Sequence, residues 1–171
     1  MSGTVDRGPA RSRRPPDLAG LVPVPTYRDR PATPSSDIAG VDLAGDPRTV
    51  PVVATGRWSL LLFLSSGCDG CVGLWDALGD PVASGLVSTE TAVAVTRDPD
   101  EEDVASLSAL APPSACVVLS TAAWAAYRVQ GAPFFALVDG RAPGSSTVAT
   151  EGVAWGVSQI AADVRRARGR T

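Results

Sequence analysis

The stretch Trp58-Ser59-Leu60-Leu61-Leu62-Phe63-Leu64-Ser65-Ser66-Gly67-Cys68-Asp69-Gly70-Cys71 decides the reading of this chain. Its first half is a near-continuous apolar run of strand length, the pattern of a central strand covered on both faces. A turn of small residues follows, then two cysteines with two residues between them. Beyond it, Cys71, Leu74, Trp75 and Leu78 recur at the spacing of one helix face, and Gly79-Asp80-Pro81 stops the helix. A helix start points unpaired backbone N–H groups at the first sulfur and favours its thiolate. The thiolate is the species that exchanges disulfides, so strand, turn, dithiol and helix in this order suit redox chemistry. Two other readings stay open at this point: a pair of small buried residues, and a metal site to which two chains each give Cys68 and Cys71.

The bulk composition narrows the classes. The chain of 171 residues is 44% hydrophobic and 19% charged, enough for one domain with a sizeable core and a tail. The net charge is −3, which gives no reason to expect a nucleic-acid partner. Histidine is absent, which removes serine–histidine and cysteine–histidine catalysis and every histidine-ligated metal. With 3 cysteines, one chain cannot build a four-cysteine zinc site. No metal and no cofactor are expected. No run reaches the roughly 18–20 apolar residues of a membrane helix. The segment Met1-Ser2-Gly3-Thr4-Val5-Asp6-Arg7 has no apolar signal core. A cytoplasmic location is the expectation, and there a C-x-x-C is catalytic or metal-binding more often than a structural staple.

Residues 1–36 read as a flexible Pro/Arg-rich extension. Arg7, Arg11, Arg13 and Arg14 alternate with Gly8, Pro9, Pro15 and Pro16, and Pro23, Pro25, Pro31 and Pro34 follow, with too little apolar periodicity to offset ordering entropy. The folded domain is expected over 37–168. Ile38–Leu43 and Thr49–Val53 flank a Gly45-Asp46-Pro47 turn and form an N-terminal β-hairpin. Thr91–Thr96 and Ala115–Leu119 read as strands. Between them Glu101-Glu102-Asp103 opens a helix with acids in its first turn, on a solvated face, and Pro112-Pro113 ends it. Ser120 or Thr121 caps a short helix to Tyr127. Phe134–Val138 and Thr147–Thr150 pair around an Asp139-Gly140 turn, and a last helix runs from about Val153 to Arg168 with Val157, Ile160, Ala161 and Val164 on one face. The fold class is therefore α/β, a mixed central sheet flanked by helices. Cys116 reads as a buried small hydrophobe within its strand. Trp58, Trp75, Trp124 and Trp155 occupy core-type positions, Trp75 near enough in sequence to shield the dithiol. Arg165, Arg166, Arg168 and Arg170 suit the C-terminal end of the last helix dipole.

Leu60–Cys71, the segment Tyr127-Arg128-Val129-Gln130-Gly131-Ala132-Pro133-Phe134-Phe135-Ala136-Leu137-Val138-Asp139-Gly140, and the closing strand and helix together resemble the thioredoxin-like superfamily, and within it the TlpA/ResA and MauD type of thiol–disulfide proteins. The likeness spans about residues 37–168. The wide interval between Cys68 and Pro133 is similar to the inserted element of TlpA-type domains. By this resemblance Cys68 is the attacking thiolate and Cys71 the resolving thiol, Pro133 is a cis proline, and the backbone of Ala132 pairs with an extended client segment. The implied partner is a protein client bearing thiols or a disulfide. Members of this family are often exported or tethered, so a start site placed too late would hide an upstream anchor, and membrane association is expected only through such an anchor or a partner. The chain departs from thioredoxin itself. Gly67 stands in place of tryptophan, Asp69-Gly70 in place of Gly-Pro, and Leu62 in place of the buried acid. Asp69 opposes thiolate formation by like charge. Two functions follow: a thiol–disulfide oxidoreductase with a dedicated client, or a non-catalytic thioredoxin-like accessory module whose dithiol is idle or binds metal.

Overall fold

The computed structural model describes residues 33–141 and 147–169. Its strands, in chain order, are β1 (Ile38–Val41), β2 (Pro47–Val50), β3 (Trp58–Phe63), β4 (Thr91–Thr96), β5 (Val117–Leu119), β6 (Phe134–Asp139) and β7 (Val148–Val153). The helices are α1 (Val72–Ala77), α2 (Val104–Leu110), α3 (Thr121–Ala126) and α4 (Val157–Arg168). All seven strands join one mixed sheet in the order β2-β1-β5-β4-β3-β6-β7. β3 pairs parallel with β4 and antiparallel with β6, so it lies inside the sheet. All six of its residues are buried, as its unbroken apolar run requires.

Alternation along β3 divides the core in two. Leu60, Leu62 and Leu64 face Leu74, Trp75 and Leu78 of the α1 region, Leu107 of α2, and Ile160, Val164 and Ala167 of α4. Leu61 and Phe63 face the opposite layer, with Trp124 and Tyr127 of the α3 region. The Phe63 ring meets Trp124 edge-on at 5.7 Å and Tyr127 at 5.6 Å between centroids. Each such buried side chain contributes about 1.5–3 kcal/mol of transfer free energy. One strand therefore anchors both layers.

At one edge, β1 and β2 pair antiparallel across a turn in which Asp42 Oδ1 accepts the N–H groups of Ala44 and Asp46. β1 meets β5 where Gly40 crosses Ser120. A Cβ on Gly40 would overlap the Leu119 carbonyl oxygen, so glycine is required for this close approach. Ser120 stitches the junction: its hydroxyl donates to the Ala39 carbonyl at 2.6 Å and accepts the Ala123 N–H at 3.1 Å, capping α3. Of the two capping residues the sequence allows, Ser120 is the one used.

Several expectations shift. Thr33, inside the stretch read as extension, is packed against the domain. Thr33 is 3% exposed, its hydroxyl donates to Glu151 Oε1, and the Tyr127 hydroxyl donates to the Ser36 carbonyl at 2.7 Å. Residues 1–32 lie outside the described residues. The last helix starts at Val157 rather than Val153, because Val153 completes β7 opposite Phe134. Trp155 is not core: it lies between β7 and α4 and is 83% exposed. Cys116 precedes β5 rather than lying within it. It is half-buried at the rim, where its sulfur accepts Arg48 Nη2 at 3.4 Å. Arg165, Arg166 and Arg168 do fall in the last turn of α4, but Arg168 reaches away to Glu90 and Arg166 pairs with Asp163. Arg170 lies outside the described residues.

Candidate active site

The site is built where β3 ends. Leu64 donates its N–H to the Val95 carbonyl, and the chain then turns through Ser65, Ser66 and Gly67. Cys68 follows in extended conformation (φ −107°, ψ 103°) as the N-cap of a single 3-10 turn, Asp69–Cys71, which runs directly into α1. The Cys71 N–H donates to the Cys68 carbonyl at 3.0 Å. The two cysteines form a disulfide, with Cα atoms 5.3 Å apart. They differ sharply in access: Cys68 is half-buried, whereas Cys71 is fully buried in the core that also holds Leu62 and Trp75. The local cause is the short 3-10 turn, which leaves its N-cap at the rim and carries its third residue inward. Trp75 is fully buried in the same core cluster as Cys71, with its indole N–H unpartnered among the described residues.

Pro133 comes from the loop before β6. The Ala132–Pro133 peptide bond is cis. A Cβ built on Gly70 would lie 3.6 Å from the Pro133 ring, which places that ring against the segment between the cysteines. The Pro133 carbonyl accepts the Ala154 N–H at 3.0 Å. The preceding Ala132 forms no backbone hydrogen bond among the described residues. The Ala132 backbone thus has no partner among the described residues, one position before the proline that lies against the inter-cysteine segment.

The arrangement corrects one reading of the sequence. Glu101, Glu102 and Asp103 precede α2 instead of forming its first turn, and they are not simply a solvated face. Asp103 is the N-cap: its Oδ1 accepts the Ala105 and Ser106 N–H groups. The Ser106 hydroxyl and N–H hold its carboxyl below the ordinary carboxylate range. The Thr121 hydroxyl donates to Glu101, and Arg97 pairs with it, with the same effect on its carboxyl. Glu102 turns inward. Its Oε2 accepts the Ser65 hydroxyl at 3.2 Å, the Ser66 N–H at 2.9 Å and the Ser66 hydroxyl at 2.6 Å. Nothing in the local pattern around Glu102 signals this contact. It arises because parallel pairing of β3 with β4 brings both C-terminal strand ends to one rim. Asp98, Asp100 and Glu101 also bring carboxylate oxygens within 4.8 Å of one another, but Glu101 is already engaged by Thr121 and Arg97.

Sheet order, the dithiol at the β3–α1 junction and the cis proline before β6 converge on one architecture. The fold is thioredoxin-like. Solved structures of that fold superpose on most of the chain. A thioredoxin-family thiol:disulfide interchange protein from Chlorobium tepidum TLS matches with TM-score 0.56 at 16% identity, covering 81% of this chain and 98% of its own. MTB dsbF, in mixed oxidized and reduced forms, matches with TM-score 0.56 at 19% identity over 78% of this chain and 95% of its own. A secreted Mycobacterium tuberculosis disulfide oxidoreductase homologous to E. coli DsbE matches with TM-score 0.54 at 18% identity over 75% and 95%. No protein-family model and no curated protein matches the sequence. Beyond this thioredoxin-like core, no helix among the described residues is long and apolar enough to cross a membrane.

Proposed function

We propose that the protein is a thiol–disulfide oxidoreductase whose Cys68–Cys71 pair exchanges disulfides with a protein client. The observation that carries this reading is the asymmetry of the pair: a rim sulfur at Cys68, a fully buried one at Cys71, and the Pro133 loop against the segment that joins them. In the oxidised form a client thiolate attacks Cys68 Sγ. The Cys68–Cys71 bond breaks, Cys71 leaves as a thiolate and takes up a proton, and a mixed disulfide joins Cys68 to the client. A second client thiolate then attacks the client sulfur, and Cys68 leaves as a thiolate. The client is oxidised by two electrons and the pair is reduced by two. The reverse sequence reduces a client disulfide, with Cys68 attacking and Cys71 resolving. Ala132, whose backbone edge is open, pairs with an extended client segment beside Pro133.

The test is a glutathione redox titration of the full chain combined with trapping by Cys71→Ser. The expected results are a reversible Cys68–Cys71 couple and mixed disulfides that accumulate at Cys68 in the variant. Cys116→Ser leaves both unchanged, since Cys116 lies at the far rim against Arg48. A pair that never oxidises and traps nothing refutes the enzyme reading in favour of a partner-binding module.

A further inference from the structure

We infer that Glu102 is a positioning residue for the Cys68 turn and that its carboxylate displaces the dithiol–disulfide equilibrium toward the disulfide; this rests on the redox reading above. The turn has three residues, and Glu102 governs all of them. It accepts from Ser65 once and from Ser66 twice through a single oxygen. The Ser65 hydroxyl in turn accepts the Gly67 N–H, and the Ser66 hydroxyl accepts the Asp103 N–H at 3.2 Å. The clamp is itself fixed. Asp103 caps α2, Glu101 is bonded to Thr121 and Arg97, and Asp98 Oδ1 accepts the Thr121 N–H. The loop from β4 to α2 is therefore braced against two helices and in turn braces the residues that deliver Cys68.

The second oxygen of Glu102 is buried and has no hydrogen-bond partner among the described residues. A buried acceptor left unsatisfied costs stability, so the carboxylate is dearer than a fully solvated one would be. Its three bonds to the turn are what it obtains there.

Two physical effects of this clamp share a sign. A tied turn holds Cys68 Sγ near Cys71 Sγ and raises the effective concentration of one sulfur at the other, which favours the bond between them. A carboxylate bonded to the turn before Cys68 also opposes the Cys68 thiolate, which exists only in the reduced form, and Asp69 adds charge of the same sign. By linkage, a residue moves the redox equilibrium only insofar as it stabilises one redox form more than the other.

The experiment compares full-length wild type, Glu102→Ala and Glu102→Gln, all carrying Cys116→Ser. It reads the equilibrium constant with glutathione, the thermal midpoint of each redox form and the pH profile of iodoacetamide alkylation at Cys68. Glu102→Ala should move the equilibrium toward the dithiol by about tenfold or more, as loss of one to two net hydrogen bonds from one form predicts, and lower the midpoint of the oxidised form more than that of the reduced form. Glu102→Gln keeps an acceptor oxygen for the same donors and loses the charge. It should move the equilibrium the same way but by less, about threefold, with alkylation reaching half-maximum at lower pH than in wild type. Equal loss of midpoint in both redox forms, with the glutathione equilibrium unmoved, would show that Glu102 merely supports the loop and would overturn the inference while leaving the redox reading intact. A shift toward the disulfide would overturn it as well. A wild-type pair that never equilibrates with glutathione overturns the redox reading itself.

Discussion

Arg168→Met should destabilise the protein in a pH-dependent way. Glu90, just before β4, has a side chain with no solvent exposure, and Arg168 from the last turn of α4 pairs with it at 2.5 Å between Nη1 and Oε1. The same guanidinium nitrogen donates to the Ser88 hydroxyl at 2.7 Å. Burial pushes the Glu90 carboxyl up, but the N–H groups of Ser88, Glu90 and Thr89 and the Arg168 charge outweigh it, so it sits below its ordinary value of 4.5. A charge-assisted hydrogen bond is worth about 1.5–3 kcal/mol, and removing one partner of a buried pair costs about 3–5 kcal/mol. Here Arg168 is 32% exposed and Glu90 keeps the Ser88 and Thr89 donors, which argues for the lower end. Methionine retains the apolar stem. The expected loss is about 2 kcal/mol at pH 7, or roughly 4–8 °C in Tm for a chain of this size.

The sign of the pH dependence follows from the lowered carboxyl. A group depressed in the folded state adds stability that is fully present above its unfolded value, near 4.5, and is lost as pH falls through the folded value. Without Arg168 that contribution shrinks, so wild type and variant should converge in acid. Urea unfolding at pH 7 and pH 3 measures both ends. A loss under about 0.5 kcal/mol at pH 7, or one of equal size at pH 3, would refute the reasoning. The pair joins the N-terminal end of β4 to α4, whereas the dithiol follows the C-terminal end of the parallel strand β3. Its glutathione equilibrium should therefore match wild type.

Two further outcomes follow from buried hydrogen bonds. Ser120→Ala removes both the α3 cap and the donor to the Ala39 carbonyl, and should cost about 2 kcal/mol in urea unfolding with the thiol chemistry unchanged. Tyr127→Phe removes the phenol that donates to the Ser36 carbonyl and accepts its N–H, and should cost about 1 kcal/mol while loosening protease protection around Thr33–Ser36. In wild type, burial chiefly pushes this phenol up to about 12 from its ordinary 10, so the stability it lends is complete below the unfolded value and falls as pH rises toward the folded one. Absorbance titration of the tyrosines checks it.

The sequence alone carried the framework of the fold. The unbroken run of β3, the one-face spacing of α1 and the Gly131-Ala132-Pro133 segment are local patterns, and each residue's part in them depends on its near neighbours. It was the resemblance of these segments to the thioredoxin-like superfamily that let the dithiol and Pro133, far apart in the chain, be read as companions, and the Pro133 ring does lie against the segment between the cysteines. Boundaries were less legible. Whether Val153 ends a strand or starts a helix turns on its pairing with Phe134, and whether Trp155 is core turns on where the chain leaves the sheet.

The tertiary structure decided what surrounds the sulfurs. Glu101-Glu102-Asp103 is a run of acids in one dimension, and composition does not distinguish a solvated carboxylate from one turned inward. Parallel pairing of β3 and β4 sets their C-terminal ends side by side, and only then does Glu102 meet Ser65 and Ser66. The cysteine pair was legible in adjacent residues. The clamp on it comes from residues brought together by the sheet, because hydrogen-bond partners distant in the chain are chosen by topology and not by sequence spacing.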